Sequence, residues 1–220
     1  MGLVIFDLQH SGKPRGLDER GAKADVDGDG VVETWEREAE LTPFYVAPAS
    51  RALALTGHLV VLETFGEYPD RHARAAELAS RFPGLRVAYV ACHINAGGGR
   101  SGSAFYDGRS GGGARLARGL ADELGELDEL HGGFAFPSYA DPQPGAGAGE
   151  NEWRGDASKH WTWGAWSTIA GIYDGPANLS GVCVEPWFLD NPSHRPLATG
   201  EGAERVGEAL ARGLSAWLAT

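Results

Sequence analysis

Leu85-Arg86-Val87-Ala88-Tyr89-Val90-Ala91-Cys92, followed at once by His93-Ile94-Asn95-Ala96, decides how the rest of the chain is read. The first eight residues form a short apolar run that reads as a buried strand. Leu3–Leu8 (LVIFDL), Leu59–Leu62 (LVVL) and Leu179–Val184 (LSGVCV) read the same way, and Ser103–Tyr106 (SAFY) is a weaker strand. Helix-length amphipathic segments lie between them: Thr34–Leu55, Asp70–Phe82, Ala114–Leu127 and Glu201–Leu218. In the last, Val206, Leu210, Leu214 and Trp217 recur at helical spacing and make one apolar face. Pro43 and Pro48 fall inside the first, so that helix should start irregularly or kink. The alternation predicts an α/β fold, with a mostly parallel twisted sheet and helices on both faces.

The remaining arithmetic bounds the function. At 220 residues the chain suits one domain, 1–220, and 42% apolar types suffice for a sizeable core. Thirty acidic against 19 basic residues leave a net charge of −11 with no basic run, which excludes a nucleic-acid-binding role by phosphate attraction. The first apolar stretch is too short for a signal-peptide core or a membrane span, so neither a leader nor membrane insertion is expected. Two cysteines, Cys92 and Cys183, cannot frame a disulfide scaffold, and they read as buried thiols. From His131 to Asp156, Gly, Pro and Ala dominate without any period. A Gly/Pro-rich loop insertion of about 131–160 is therefore expected, which at that length reads as a functional lid or as disorder.

In an open α/β sheet, ligands bind beyond the carboxyl ends of the strands. The first strand runs into Gln9-His10-Ser11-Gly12, the third into His93, and the last into Glu185-Pro186-Trp187. Two imidazoles and a carboxylate at one sheet edge suit a hydrolytic zinc site, where water fills the open position.

These residues also carry a resemblance that covers nearly the whole chain. Val4–Gly12, with its His-Ser-Gly turn, is similar to the opening segment of the zinc-dependent N-acetylmuramoyl-L-alanine amidases of the type 3 family, found among bacterial autolysins and phage endolysins. Glu38-Ala39-Glu40-Leu41-Thr42 with the later turn at Gly57, His93-Ile94-Asn95-Ala96 with Gly102–Tyr106, and Val184-Glu185-Pro186-Trp187-Phe188-Leu189-Asp190-Asn191 resemble its later motifs. The resemblance implies His10, Glu38 and His93 as zinc ligands, with Glu40 as the alternative to Glu38. It implies Glu185 as the catalytic carboxylate, base toward the attacking water and proton donor to the leaving amine. The implied substrate is peptidoglycan, cleaved between N-acetylmuramic acid and L-alanine, and the implied state is a monomer. The chain departs from the family where Asp7-Leu8-Gln9 precedes His10, since a glycine is usual there. An enzyme of this kind made in the cytoplasm without a leader would reach the wall as a phage endolysin, or by secretion if a leader was removed. The alternatives are a zinc peptidase or deacylase on another substrate, and a non-catalytic, calcium-stabilised wall-binding module.

Calcium enters through the acidic stretch ahead of Glu38. Asp25-Val26-Asp27-Gly28-Asp29-Gly30-Val31-Val32-Glu33-Thr34-Trp35-Glu36 fits the twelve-residue EF-hand loop at every specified position. Asp25, Asp27 and Asp29 stand at one, three and five, and Gly30 takes the turn at six. Val31 offers its carbonyl at seven, Val32 packs inward at eight, and Glu36 closes the site at twelve. No helix precedes the loop, so it reads as single and half-framed, and calcium bound there would fix the start of the helix that carries Glu38. Asn95, His160, Trp153, Trp161, Trp163 and Trp166 are weaker candidates for substrate contact. His58, His72, His131 and His194 lie outside any motif.

Overall fold

Leu3–Leu8 (β1) is buried along its whole length, as a strand covered on both faces must be. Around it the structure, a computed structural model, describes residues 1–10, 21–130, 134–135, 138–139 and 169–220. The further strands are Leu59–Glu63 (β2), Val87–Cys92 (β3), Gly102–Asp107 (β4), Phe134–Ala135 (β5), Ser138–Tyr139 (β6) and Leu179–Glu185 (β7). They form one seven-stranded sheet in the order β2-β1-β3-β7-β4-β5, with β6 also on β4. β1 lies parallel to β2 and β3, opposing Leu3 to Leu59 and to Val87, and β3 lies parallel to β7, with Val87 opposite Leu179. β4 runs antiparallel to β7, which makes the sheet mixed at that edge.

The helices are Glu38–Leu55 (α1), Tyr68–Arg81 (α2), Gly111–Leu124 (α3), Ala170–Tyr173 (α4) and Gly200–Leu218 (α5), with a 3-10 turn at Pro192–Leu197. They cover both faces of the sheet. One core joins Val4, Phe6, Val90 and Val184 to Leu41 and Tyr45 of α1, Leu116 and Leu120 of α3, and Val206, Leu210 and Leu214 of α5. The other joins Leu3, Ile5 and Tyr89 to Ala75 and Ala79 of α2 and Ile172 of α4. Each fully buried Leu or Val stabilises the fold by roughly 1.5–3 kcal/mol. Strand alternation sends Cys92 into the first core and Cys183 into the second, and both are buried free thiols. Among the described residues no helix is long and apolar enough to cross a membrane.

Two expectations are corrected here. The first helix starts at Glu38 and not at Thr34, because residues 33–36 turn to close the acidic loop, while Pro43 and Pro48 both sit within the helix. The Gly/Pro-rich segment, expected to be a loop without strands or helices, carries the two-residue strands β5 and β6 on the edge of β4. The remainder of 131–160 lies outside the described residues, as do His131, Trp153, His160, Trp161, Trp163 and Trp166.

Candidate metal centre

β1, β3 and β7 are neighbours and run the same way, so their carboxyl ends share one edge. His10 follows β1, His93 follows β3, and Glu185 is the last residue of β7. The His93 N–H donates to Val184 O at 2.9 Å, which fixes the two strand ends to each other. Glu38 reaches the same edge from the first turn of α1.

There the three side chains converge. His93 Nδ1 lies 2.7 Å from Glu38 Oε1 and His10 Nε2 lies 3.4 Å from Glu38 Oε2. The two imidazole rings stand edge to face at 5.1 Å between centroids, and one ligand atom of each residue lies within 4.8 Å of the others. Glu38 is buried, and its carboxylate also accepts from Ile94 N and Ala22 N, each at 3.0 Å. Burial alone would raise its carboxyl pKa. The His93 and His10 imidazoles and the Ile94 N–H outweigh burial and hold it down at about 2, so Glu38 is ionised. Burial pulls the His93 value down, but the Glu38 carboxylate against Nδ1 raises it above the ordinary histidine range. Glu40, the alternative to Glu38, is not in this cluster.

The residues around the cluster hold it rigid. His10 has φ +62°, the left-handed region that non-glycine residues adopt rarely and at a cost, so the strand end turns sharply to aim the imidazole. Tyr45 on α1 donates its hydroxyl to His93 O at 3.0 Å. Asn95 N donates to Trp187 O at 3.0 Å and Leu189 N to Asn95 O at 2.8 Å, which ties the loop after His93 to the loop after Glu185. Asp190 accepts from Gly97 N and Gly98 N in the same seam. Asn95 is thus a brace for this loop. His58 accepts from Gly2 N, His72 packs edge-on to Tyr89, and His194 accepts from Phe188 N, all structural tasks.

The sequence reading missed a buried network beneath the site. Arg71 of α2 and Asp7 of β1, both fully buried, form an ion pair, and Gln9 and Tyr89 also donate to Asp7. Arg71 further donates to Leu8 O and Gly66 O. Gln9 stands directly before His10, so this network anchors the turn that presents the imidazole.

The donor set fits a zinc-like cation. Two imidazoles and a buried ionised carboxylate are the ligands such an ion takes. His93 Nε2 is a buried nitrogen with no hydrogen-bond partner among the described residues, as expected of a ring whose surroundings are built for something other than a protein acceptor. Glu185 stands beside them, half-buried. Burial lifts its carboxyl pKa and the Glu38 charge lifts it further; the His93 charge opposes both, and the value stands at about 7.

The acidic loop closes at its base beside the cluster. Lys23 bridges Arg37, Ala24 N donates to Glu36 O, and Glu38 N donates to Ala22 O. Gly21, at φ +80°, lets the chain pass so close that a Cβ there would stand 2.3 Å from Glu38 Oε2. Within the loop, Asp25, Asp27 and Glu36 bring carboxylate oxygens within 4.8 Å of one another, whereas Asp29 groups with Asp27 and Glu33. Glu36 is buried and accepts from Val26 N, Asp27 N and Glu33 N. Val31 and Val32 are exposed. The inward packing expected of Val32 is therefore corrected. With no second such loop among the described residues for Val32 to pack against, Val26 enters the core instead.

No protein-family model matches the sequence, and no curated protein does. Solved structures do match. The chain is similar to the CwlD amidase from Clostridioides difficile, solved in complex with the GerS lipoprotein (TM-score 0.64, 17% identity, 100% of this chain and 99% of that one). It is similar also to the N-acetylmuramoyl-L-alanine amidase AmiC2 of Nostoc punctiforme (TM-score 0.62, 17% identity, 100% and 98%). The chain has the amidase fold. A further match is Cwp6 from Clostridium difficile (TM-score 0.65, 17% identity), of which the chain spans 29% while 99% of this chain is covered. At these identities the likeness is one of fold, and the chemistry rests on the residues at the sheet edge.

Proposed function

We propose that the protein is a zinc-dependent N-acetylmuramoyl-L-alanine amidase that cleaves peptidoglycan between the lactyl group of N-acetylmuramic acid and L-alanine. The observation that carries this reading is the convergence of His10, Glu38 and His93 at the sheet edge, with Glu185 alongside, in a fold shared with such amidases. His10, Glu38 and His93 would hold the ion. When bound, zinc supplies Lewis acidity toward a carbonyl and a water.

The protein's own residues do the rest. Glu185, half-buried and with a carboxyl pKa of about 7, can exchange a proton near neutrality. It takes a proton from the attacking water as the new C–O bond forms, and returns it to the nitrogen as the C–N bond breaks, leaving a carboxylic acid and an amine. Asn95, Tyr45 and the Asp7–Arg71 pair position the ligands and touch no reacting atom in this account. A non-catalytic wall-binding module would have no use for a half-buried carboxyl held near neutral pKa.

We further propose that Asp25, Asp27, Asp29, Glu36 and the Val31 carbonyl bind calcium and so stiffen the start of α1. The link to the centre is short, because Ala22, at the base of the loop, donates to Glu38 itself. The test of the whole reading is clearance of cell-wall turbidity after chelation. Activity returns with zinc and not with calcium alone if the assignment is right; return with calcium alone would contradict it.

A further inference from the structure

A cavity of about 370 Å³ opens at the opposite end of the sheet, where β4 ends, α3 begins and β7 starts. Glu185 lies six residues further along β7, roughly 20 Å away at strand spacing, so the cavity is separate from the metal centre. Among the described residues three cations line it, Arg86, Arg109 and Arg115, against one carboxylate, Asp107. Arg109 grips Asp107 through Nε and Nη2 at 2.9 and 2.6 Å and leaves Nη1 without a partner among the described residues. Arg115 is exposed and makes no ion pair among the described residues. In a chain of net charge −11, an excess of positive charge in one cavity is a local feature that composition does not supply.

The amino end of α3 faces this cavity. Ser110 caps the helix by accepting from Gly113 N at 3.0 Å, and its carbonyl takes Ala114 N. The N–H groups of Gly111 and Gly112 have no such acceptor among the described residues and lie in the first turn, where the helix dipole favours an anion. A second observation is independent of the helix. Ser180, at the start of β7, is more than nine-tenths buried, lines the cavity, and has no hydrogen-bond partner for its hydroxyl among the described residues. That hydroxyl lies against the Gly112 backbone, since a Cβ on Gly112 would stand 2.2 Å from Ser180 Oγ. A hydroxyl in the cavity wall beside helix N–H groups and arginines is a donor set suited to an acceptor with several oxygens.

We propose that this cavity binds an oxyanion of the phosphate class, held by the Gly111 and Gly112 N–H groups, the Ser180 hydroxyl and the guanidinium groups of Arg109 and Arg115. Its position at the end of the sheet away from Glu185 makes the occupant a ligand other than the amide being cleaved.

The test is a titration of the ¹⁵N-labelled full chain with inorganic phosphate, and separately with glycerol phosphate, at ionic strength held constant with chloride. Saturable shifts of the Gly111, Gly112 and Ser180 amide signals are expected, with Arg115→Ala weakening binding about tenfold and Ser180→Ala roughly three- to tenfold. Tighter binding of the ester identifies an ester-borne phosphate, and tighter binding of the free ion identifies phosphate itself. The proposal is overturned if these signals do not saturate, if only signals near the metal centre such as Ile94 and Ala22 move, or if both variants bind as the parent does.

Discussion

Replacing Glu185 by Gln should abolish wall lysis and at the same time make the metal-free protein more stable at alkaline pH. The two effects have one cause. Glu185 has a folded-state carboxyl pKa of about 7, raised from an ordinary 4.5 chiefly by burial. Between those values the folded chain holds a proton that the unfolded chain releases. Stability is therefore unpenalised below about 4.5, falls as pH rises, and carries the full penalty above about 7. A rise of that size corresponds to roughly 3 kcal/mol, and solvent reaching the half-buried group reduces it to about 2–3 kcal/mol. Glutamine has the same shape and no charge, so it removes the penalty. For a domain of this length the gain amounts to about 4–12 °C in melting temperature at pH 8, shrinking toward zero near pH 4.5. The assay is thermal unfolding of chelated parent and variant at both pH values, with turbidity clearance by the zinc-loaded forms at neutral pH. Activity should fall by about 10²–10⁴. A variant less stable than the parent at pH 8, or one that still clears cell walls, would refute the reasoning, because Glu185 would then be a structural residue.

Four further outcomes follow from the same geometry. Glu38→Gln should lose stoichiometric zinc binding, measured by elemental analysis after dialysis, while Glu40→Gln retains it. The depressed Glu38 pKa adds a stability contribution that is present above about 4.5 and lost as pH falls toward about 2, so the parent's advantage over Glu38→Gln in melting temperature should vanish under strong acid. Asp25→Ala or Asp27→Ala should erase any rise in melting temperature on adding calcium and lower lytic activity with it; calcium responses equal to the parent's would break the link between the acidic loop and Glu38. Arg71→Met leaves Asp7 buried without its cation and should destabilise the protein by about 3–5 kcal/mol in chemical denaturation, whereas Asp7→Asn combined with Arg71→Met recovers part of that loss.

The sheet was legible wherever local apolar runs coincide with burial. Leu3–Leu8, the third strand and Leu179–Val184 are buried on both faces, so continuous hydrophobicity marks them. Their parallel pairing then brings His10, His93 and Glu185 to one edge, which is why strand ends alone pointed at the site. Glu38 needed the resemblance to a known family, since four glutamates stand between positions 33 and 40 and only the fold selects the one facing the histidines. The start of α1 was misjudged because helix periodicity continues through Thr34–Arg37, while hydrogen bonds to Ala22 and Ala24 pull that stretch into the base of the acidic loop. The Asp7–Arg71 pair was invisible because its members are 64 residues apart and each looks unremarkable in its own segment. β5 and β6 contain two residues each, too few for any period, and they form only because the edge of β4 offers free backbone groups.

The most direct measurement of the central claim is the identity of the ends released when the zinc-loaded protein digests purified sacculi. New amino termini should appear, every one of them alanine, with no new reducing sugar ends, and about 10²–10⁴-fold more slowly from Glu185→Gln. Reducing ends, or amino termini belonging to another residue of the stem or cross-bridge, would show that a different bond is cut and would contradict the amidase assignment.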